Sequence, residues 1–273
     1  QSDAAVAHLN GGGYVVVWNS SSGQDGSNEG IYAQRYSPAG VAVGPEFRVN
    51  TTVAGSQTDP AVAGLSDGSF VVTWADSNAD GSSWGVFGQR YEASGVALGG
   101  QFQLNTYTLN QQSWAKIAAF DEGFVATWVS YYQGVQQGYD IFSQRFDNNG
   151  TKVGPEALVN TTDTWYQVEP DIAAAADGSY VIVWRSDGQD GSGAGVYGQR
   201  FDAGSTPLGG EFRVNTTTVS DQYQPRVAML SDGGFVVVWR DDGGQDGSGT
   251  AVFAQRYNAD GSTHGAEFRV NEF

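Results

Sequence analysis

A chain of 273 residues with 30 acidic and 13 basic side chains carries a net charge of -17, which argues against a nucleic-acid partner and against anionic membranes because no basic patch offsets it. It has no cysteine, hence neither disulfides nor a thiol nucleophile, and no apolar run approaches the roughly 18 residues of a membrane span, so no membrane insertion is expected. With 39 glycines and 13% aromatic residues, the composition is that of many short strands joined by tight turns.

The first clear element is YVVVW, Tyr14 to Trp18. It returns as FVVTW (Phe70 to Trp74), FVATW (Phe124 to Trp128), YVIVW (Tyr180 to Trp184) and FVVVW (Phe235 to Trp239). Five aromatic and β-branched residues in a row suit a strand and are too few for a helix. Because the run is apolar at nearly every position, the strand is predicted to be buried on both faces. A Gln-Arg-aromatic marker follows, with its arginine at Arg35, Arg90, Arg145, Arg200 and Arg256. A Val-Asn or Leu-Asn marker then ends at Asn50, Asn105, Asn160, Asn215 and Asn271. The period is about 55 residues, and five copies (about 1–53, 54–108, 109–163, 164–218 and 219–273) fill one domain from end to end.

Each period reads as four strands. In the second copy these are an alanine-rich strand a (Ala61 to Leu65), strand b (the opening motif), strand c (Gly85 to Tyr91) and strand d (Gln101 to Asn105). Asp-Gly and Gly-rich turns join a to b, and turns such as Ser37 to Gly40 join c to d. The fold class expected is all-β, a five-bladed β-propeller of four-stranded antiparallel blades. Ala7, Ala63, Ala118, Ala173 and Ala228 would suit an innermost strand, where little room is left. A linear solenoid would ask for polar capping repeats, and the end copies are as apolar as the middle ones.

The b-c and d-a connections are long and differ between copies, so functional variation is expected there. Asp76 with Asp80, Asp187 with Asp190, and Asp242 with Asp246 lie in Gly-rich b-c loops and could supply oxygen ligands to Ca2+; they read equally as solvated turns. The third copy replaces this pattern with SYYQGVQQGYD, bringing in Tyr131, Tyr132 and Tyr139. Trp84, Tyr107, Trp114, Trp165, Tyr166 and Tyr223 are further aromatics without counterparts in the other copies. Flat rings in polar loops suit stacking on sugars, with local loop packing as the alternative.

Just before strand a stand Gln1, Gln57, Gln112, Gln167 and Gln222, readable as a polar ring or as caps on neighbouring backbone. Four positions on, the copies diverge to Ala5, Ala61, Lys116, Asp171 and Arg226; the three charged residues join the candidate ligand site. The repeated arginine of strand c is expected to pair across c and d with Glu46, Glu156, Glu211 or Glu267, Gln101 standing in the second copy.

No catalysis is expected from these residues. His8 and His264 are the only histidines, which argues against a Ser-His-Asp triad or a histidine-rich zinc site. Glu169 and Asp171 break the repeat, but two apart on one strand they should point the same way, whereas paired catalytic carboxylates come from facing elements. Most of the chain is also replicated, and an active site needs unique residues.

The segments DGSYVIVWRSDGQDGSGAGVYGQRFD (Asp177 to Asp202) and GGEFRVNTTT (Gly209 to Thr218) resemble the repeats of very large secreted bacterial proteins of the RTX or hemolysin-type calcium-binding class. The resemblance covers all five copies, although the diagnostic nonapeptides are absent. It implies a secreted or cell-surface, adhesin-like setting and assigns no activity. The single Met229, the start at Gln1 and the acidic, cysteine-free composition read as a mature or excised portion of a secreted protein. The expectation is a monomeric, non-catalytic carbohydrate-binding module, lectin- or adhesin-like, with a glycan or polysaccharide partner. The alternatives are a calcium-stiffened structural repeat domain of a surface protein and a polysaccharide-cleaving enzyme.

Overall fold

The structure, a computed structural model, describes residues 1–21, 23–24, 26–133, 138–162, 166–244 and 249–272. Among these residues every regular element is a strand. The first copy forms β1 (Ser2–His8), β2 (Tyr14–Ser20), β3 (Gly30–Tyr36) and β4 (Ala42–Arg48), and the second β5 (Gln57–Gly64), β6 (Phe70–Asp76), β7 (Gly85–Tyr91) and β8 (Ala97–Gln103). The third forms β9 (Gln112–Phe120), β10 (Gly123–Tyr131), β11 (Tyr139–Asp147) and β12 (Lys152–Leu158). The fourth has β13 (Gln167–Ala174), β14 (Tyr180–Asp187), β15 (Ala194–Phe201) and β16 (Phe212–Arg213), and the fifth β17 (Gln222–Met229), β18 (Phe235–Asp241), β19 (Ala251–Tyr257) and β20 (Phe268–Arg269). Each copy is one four-stranded sheet in chain order, as the short turns require.

The chain divides into two compact units, one of Gln1–Ser130 with Ser143–Ala157 and one of Tyr131–Phe142 with Leu158–Phe273. In the first unit, Val15, Val17, Ile31 and Val49 pack against Phe70, Val72, Trp74 and Phe87 of the next sheet. In the second, Val181, Val183, Val196 and Val214 pack in the same way against Phe235, Val237, Trp239 and Phe253. The first residue of strand b stacks on the last ring of strand c: Phe70 on Tyr91 at 5.1 Å, Tyr180 on Phe201 at 4.7 Å and Phe235 on Tyr257 at 4.6 Å between centroids. β6 is buried throughout, as predicted for the opening motif. β2 and β18 instead alternate between buried and less buried residues.

Small residues in strand a answer to close backbone approach. A Cβ placed on Gly64 would lie 2.1 Å from the His8 carbonyl oxygen of the neighbouring sheet, so β1 and β5 leave no room for a side chain there.

Strand d differs from its predicted span: in the second copy it covers Ala97–Gln103, ending before Asn105. The marker asparagine has left the ladder because its side chain replaces a strand partner. Asn50, Asn105, Asn160, Asn215 and Asn271 accept the backbone amides of Ile31, Val86, Ile141, Val196 and Val252 at 2.8 to 3.0 Å. The amides of Asn50, Asn105 and Asn215 donate to Gln57, Gln112 and Gln222 of the following copy at 2.8 to 3.0 Å. These glutamines are wholly buried and therefore act as caps between successive copies, not as an exposed polar ring.

Among the described residues, the arginines and glutamates expected to pair across c and d are seen with other partners. Glu156, Glu211 and Glu267 accept the backbone amides of Thr106, Thr161 and Thr216 in the preceding copy at 2.5 to 2.8 Å, and Gln101 does the same for Thr51 at 3.0 Å. The arginines turn elsewhere: Arg35 donates to Ala93 O, Arg200 to Ala259 O and Asp260 O, and Arg145 lies 3.9 Å over the Phe120 ring. Arg90 and Arg256 pair with Asp67 and Asp232 in a-b turns.

Candidate functional site

One feature recurs in all five first strands and breaks their pairing with strand b. The register shifts between Ser2 and Ala5, between Thr58 and Ala61, between Val168 and Asp171, between Tyr223 and Arg226, and opposite Thr127 to Val129 in the third sheet. Two residues of strand a thus face the single repeated tryptophan of strand b, which is a β-bulge. The first bulged residue is left-handed every time: Asp3 (φ 52°), Asp59 (54°), Trp114 (57°), Glu169 (55°) and Gln224 (52°). None is glycine, and positive φ in ordinary residues clusters at functional sites. The strands are replicated here, but the side chains are all but unique.

Period-two reasoning could not find this bulge, since it assumes unbroken alternation. A signal was nevertheless present: the next residue is Pro60, Pro170 or Pro225 in three copies, and proline inside a strand is confined to edges and bulges. The bulge begins at Glu169, yet Glu169 and Asp171 still reach the same neighbouring strand, both accepting backbone amides of β17.

In the first unit the bulge supplies Asp3, Asp59 and Trp114, with Lys116 two residues beyond. The Thr58 hydroxyl donates to Asp59 at 3.2 Å. Burial pushes the Asp59 carboxyl above its ordinary range, and the charges of Asp3 and Glu29 add to that, opposed by the Thr58 hydroxyl and the Lys116 ammonium. Trp114 is 41% exposed. Trp84 and Tyr107 flank the entry to β9: Gln112 N donates to Trp84 O at 2.7 Å, and Asn105 donates to Tyr107 O at 2.7 Å.

In the second unit the bulge supplies Glu169 and Gln224. Gln224 N donates to the Glu169 carboxylate at 2.7 Å, and Val227 N donates to that of Asp171 at 2.8 Å, while Arg226 donates to Pro225 O. Four tyrosines come together as a chain of rings, with centroids 4.1 Å apart for Tyr131 and Tyr132, 4.6 Å for Tyr131 and Tyr139, and 5.4 Å for Tyr139 and Tyr166. Tyr132 and Tyr166 are exposed. The hydrogen bond with Tyr132 is the main reason the Tyr131 phenol is pushed up to about 12. Trp165 lies outside the described residues. Tyr223 serves its own loop, donating to Asp242 at 2.6 Å beneath the Arg240 guanidinium; burial, then Asp242, pushes its phenol up to about 12.

The loop aspartates are engaged by their own turns. Asp76 accepts the Asn78 and Ala79 amides, Asp80 that of Ser82 and Asp190 that of Ser192, at 2.9 to 3.1 Å. Asp187 pairs with Arg185 at 2.8 Å, Asp242 accepts from Thr250 as well as Tyr223, and Asp246 lies outside the described residues. Among the described residues no three acidic or histidine side chains gather as a metal-binding group.

No protein-family model matches the chain, and no curated protein matches it. Solved structures do. A protein of unknown function from Dyadobacter fermentans DSM 18053 aligns over 99% of this chain and 83% of its own, with a TM-score of 0.68 and 13% identity. A PL25 ulvan lyase bound to a GlcA(1-4)Rha3S fragment aligns over 98% and 69%, with a TM-score of 0.68 and 10% identity. Penicillium chrysogenum α-L-arabinanase complexed with arabinobiose aligns over 97% and 92%, with a TM-score of 0.62 and 12% identity. The expectation of a non-catalytic lectin- or adhesin-like module is corrected by this company of an arabinanase and a polysaccharide lyase. The bulge is where the copies diverge, so internal replication leaves room for unique residues there. What the likenesses show directly is the fold, the five-bladed β-propeller of four-stranded antiparallel blades that the repeats predict.

Proposed function

We propose that the chain is a polysaccharide-cleaving enzyme acting outside the cell or at its surface. The observation that carries this reading is the left-handed bulge position of the first unit, where two of three residues are carboxylates, Asp3 and Asp59. Cleaving a glycosidic bond takes one carboxyl group that holds its proton and another that is ionised, presented from different elements. Asp59, partly buried and flanked by like charge, suits the proton donor. Asp3, exposed on β1, suits the second carboxyl group in the same unit.

The test is product release from a panel of plant and algal polysaccharides, followed both as new reducing ends and as unsaturated uronate. Asp59→Asn and Asp3→Asn are each expected to lower the rate by about 100-fold or more, the usual scale of general acid-base catalysis, with unchanged circular dichroism. An inactive wild-type chain across the panel, or full activity in both variants, sinks the proposal.

A further inference from the structure

We infer that Trp114 is a sugar-stacking platform beside Asp59 and that the site takes a neutral glycan; this rests on the reading of the chain as a polysaccharide-cleaving enzyme. Trp114 occupies in β9 the position Asp59 occupies in β5, and these two strands pack against one another in the first unit. Lys116, two residues beyond Trp114, is close enough for its charge to be felt at Asp59. All five copies share this left-handed position, so the bulge sets the φ of 57°, and it leaves the Trp114 side chain 41% exposed. The bulge therefore holds a large flat ring in solvent next to a carboxyl group. That is what stacking on the apolar face of a pyranose or furanose requires.

Charge selects the substrate class. Asp3 and Glu29 both act on Asp59 as negative neighbours, with the Lys116 ammonium opposing them, and the whole chain carries -17. A uronate or sulfated chain would meet like charge on approach, whereas a neutral chain would not. Cleavage is then hydrolytic. The Asp59 carboxyl gives its proton to the leaving glycosidic oxygen as the bond to the anomeric carbon breaks. A water oxygen bonds that carbon, and the water's spare proton passes to the carboxylate of Asp3. Transfer of a proton from Asp3 back to Asp59 through solvent restores both groups.

The test uses the full chain carrying Asp59→Asn, so that ligand is not consumed, titrated with arabinan, xylan and β-glucan oligosaccharides and with oligogalacturonate. Binding is read by calorimetry and tryptophan fluorescence. At least one neutral oligosaccharide should bind with fluorescence change, and oligogalacturonate should bind more weakly. Adding Trp114→Ala should weaken the neutral ligand about tenfold, and Trp114→Phe should retain most of the affinity. Trp114→Gly should lose affinity equally while melting no lower than Trp114→Ala, because glycine adopts this φ freely. Equal binding with alanine, a lower melting temperature for the glycine variant, or tighter binding of oligogalacturonate overturns the inference. Wild-type cleavage with Trp114-independent binding sinks only this inference, while Trp114-dependent binding without wild-type cleavage sinks only the enzymatic reading.

Discussion

Under the proposed reading, Asp59 sets folding against function. Burial and two like-charged neighbours raise its carboxyl above the ordinary range, so the folded state binds a proton more tightly there than the unfolded chain does. The favourable contribution is complete below the ordinary carboxylate pKa of about 3.9 and is lost as pH rises through the folded value. Asp59→Asn removes that loss. The variant should melt higher than wild type near neutral pH and converge with it near pH ~3, while losing activity about 100-fold. Melting curves for both proteins across this range decide the matter, and a variant that melts lower at neutral pH refutes the assignment. In the sequence, Trp114, Lys116, Asp171 and Arg226 stood out because repetition fails at them. Asp3 and Asp59 did not, since an aspartate beside serine, threonine or proline reads as the entry to a turn.

At the scale of the element, strands b and c were legible almost to the residue: β7 runs Gly85–Tyr91 as predicted, and β6 runs Phe70–Asp76, from the start of its motif to two residues beyond. Their apolar, β-branched and aromatic runs carry their own propensity. Strand d and its glutamate were not legible, because pairing rules consider neighbours within one sheet, whereas Glu156 and Glu211 answer to amides in the preceding copy. The asparagine marker gives the clearest prediction here. Asn105 is 1% exposed, accepts Val86 N and donates to Tyr107 O and Gln112. Asn105→Ala strands several buried polar groups at about 1–3 kcal/mol each, so a total loss of about 2–4 kcal/mol is expected in urea unfolding. A loss under about 1 kcal/mol would mean that water or a shifted side chain replaces the asparagine.

At the scale of the whole molecule, repetition made the fold readable and hid the function, because five near-identical sheets draw attention to what they share. Net charge is the one global property that reaches both stability and substrate. Thirteen basic side chains cannot neutralise thirty acidic ones, and exposed pairs such as Arg240 with Asp242 and Arg256 with Asp232 return little. Like-charge repulsion should therefore lower stability at low ionic strength. Raising NaCl from about 10 mM to about 150 mM shortens the screening length from roughly 30 Å to about 8 Å, and the melting temperature should rise. The same titration reads the substrate, since a neutral glycan has no charge to screen: its KM should stay flat while the melting temperature climbs. A KM that falls with added salt would mean that an anionic substrate is being repelled, and a melting temperature that falls would mean that the surviving ion pairs outweigh the repulsion among the acids.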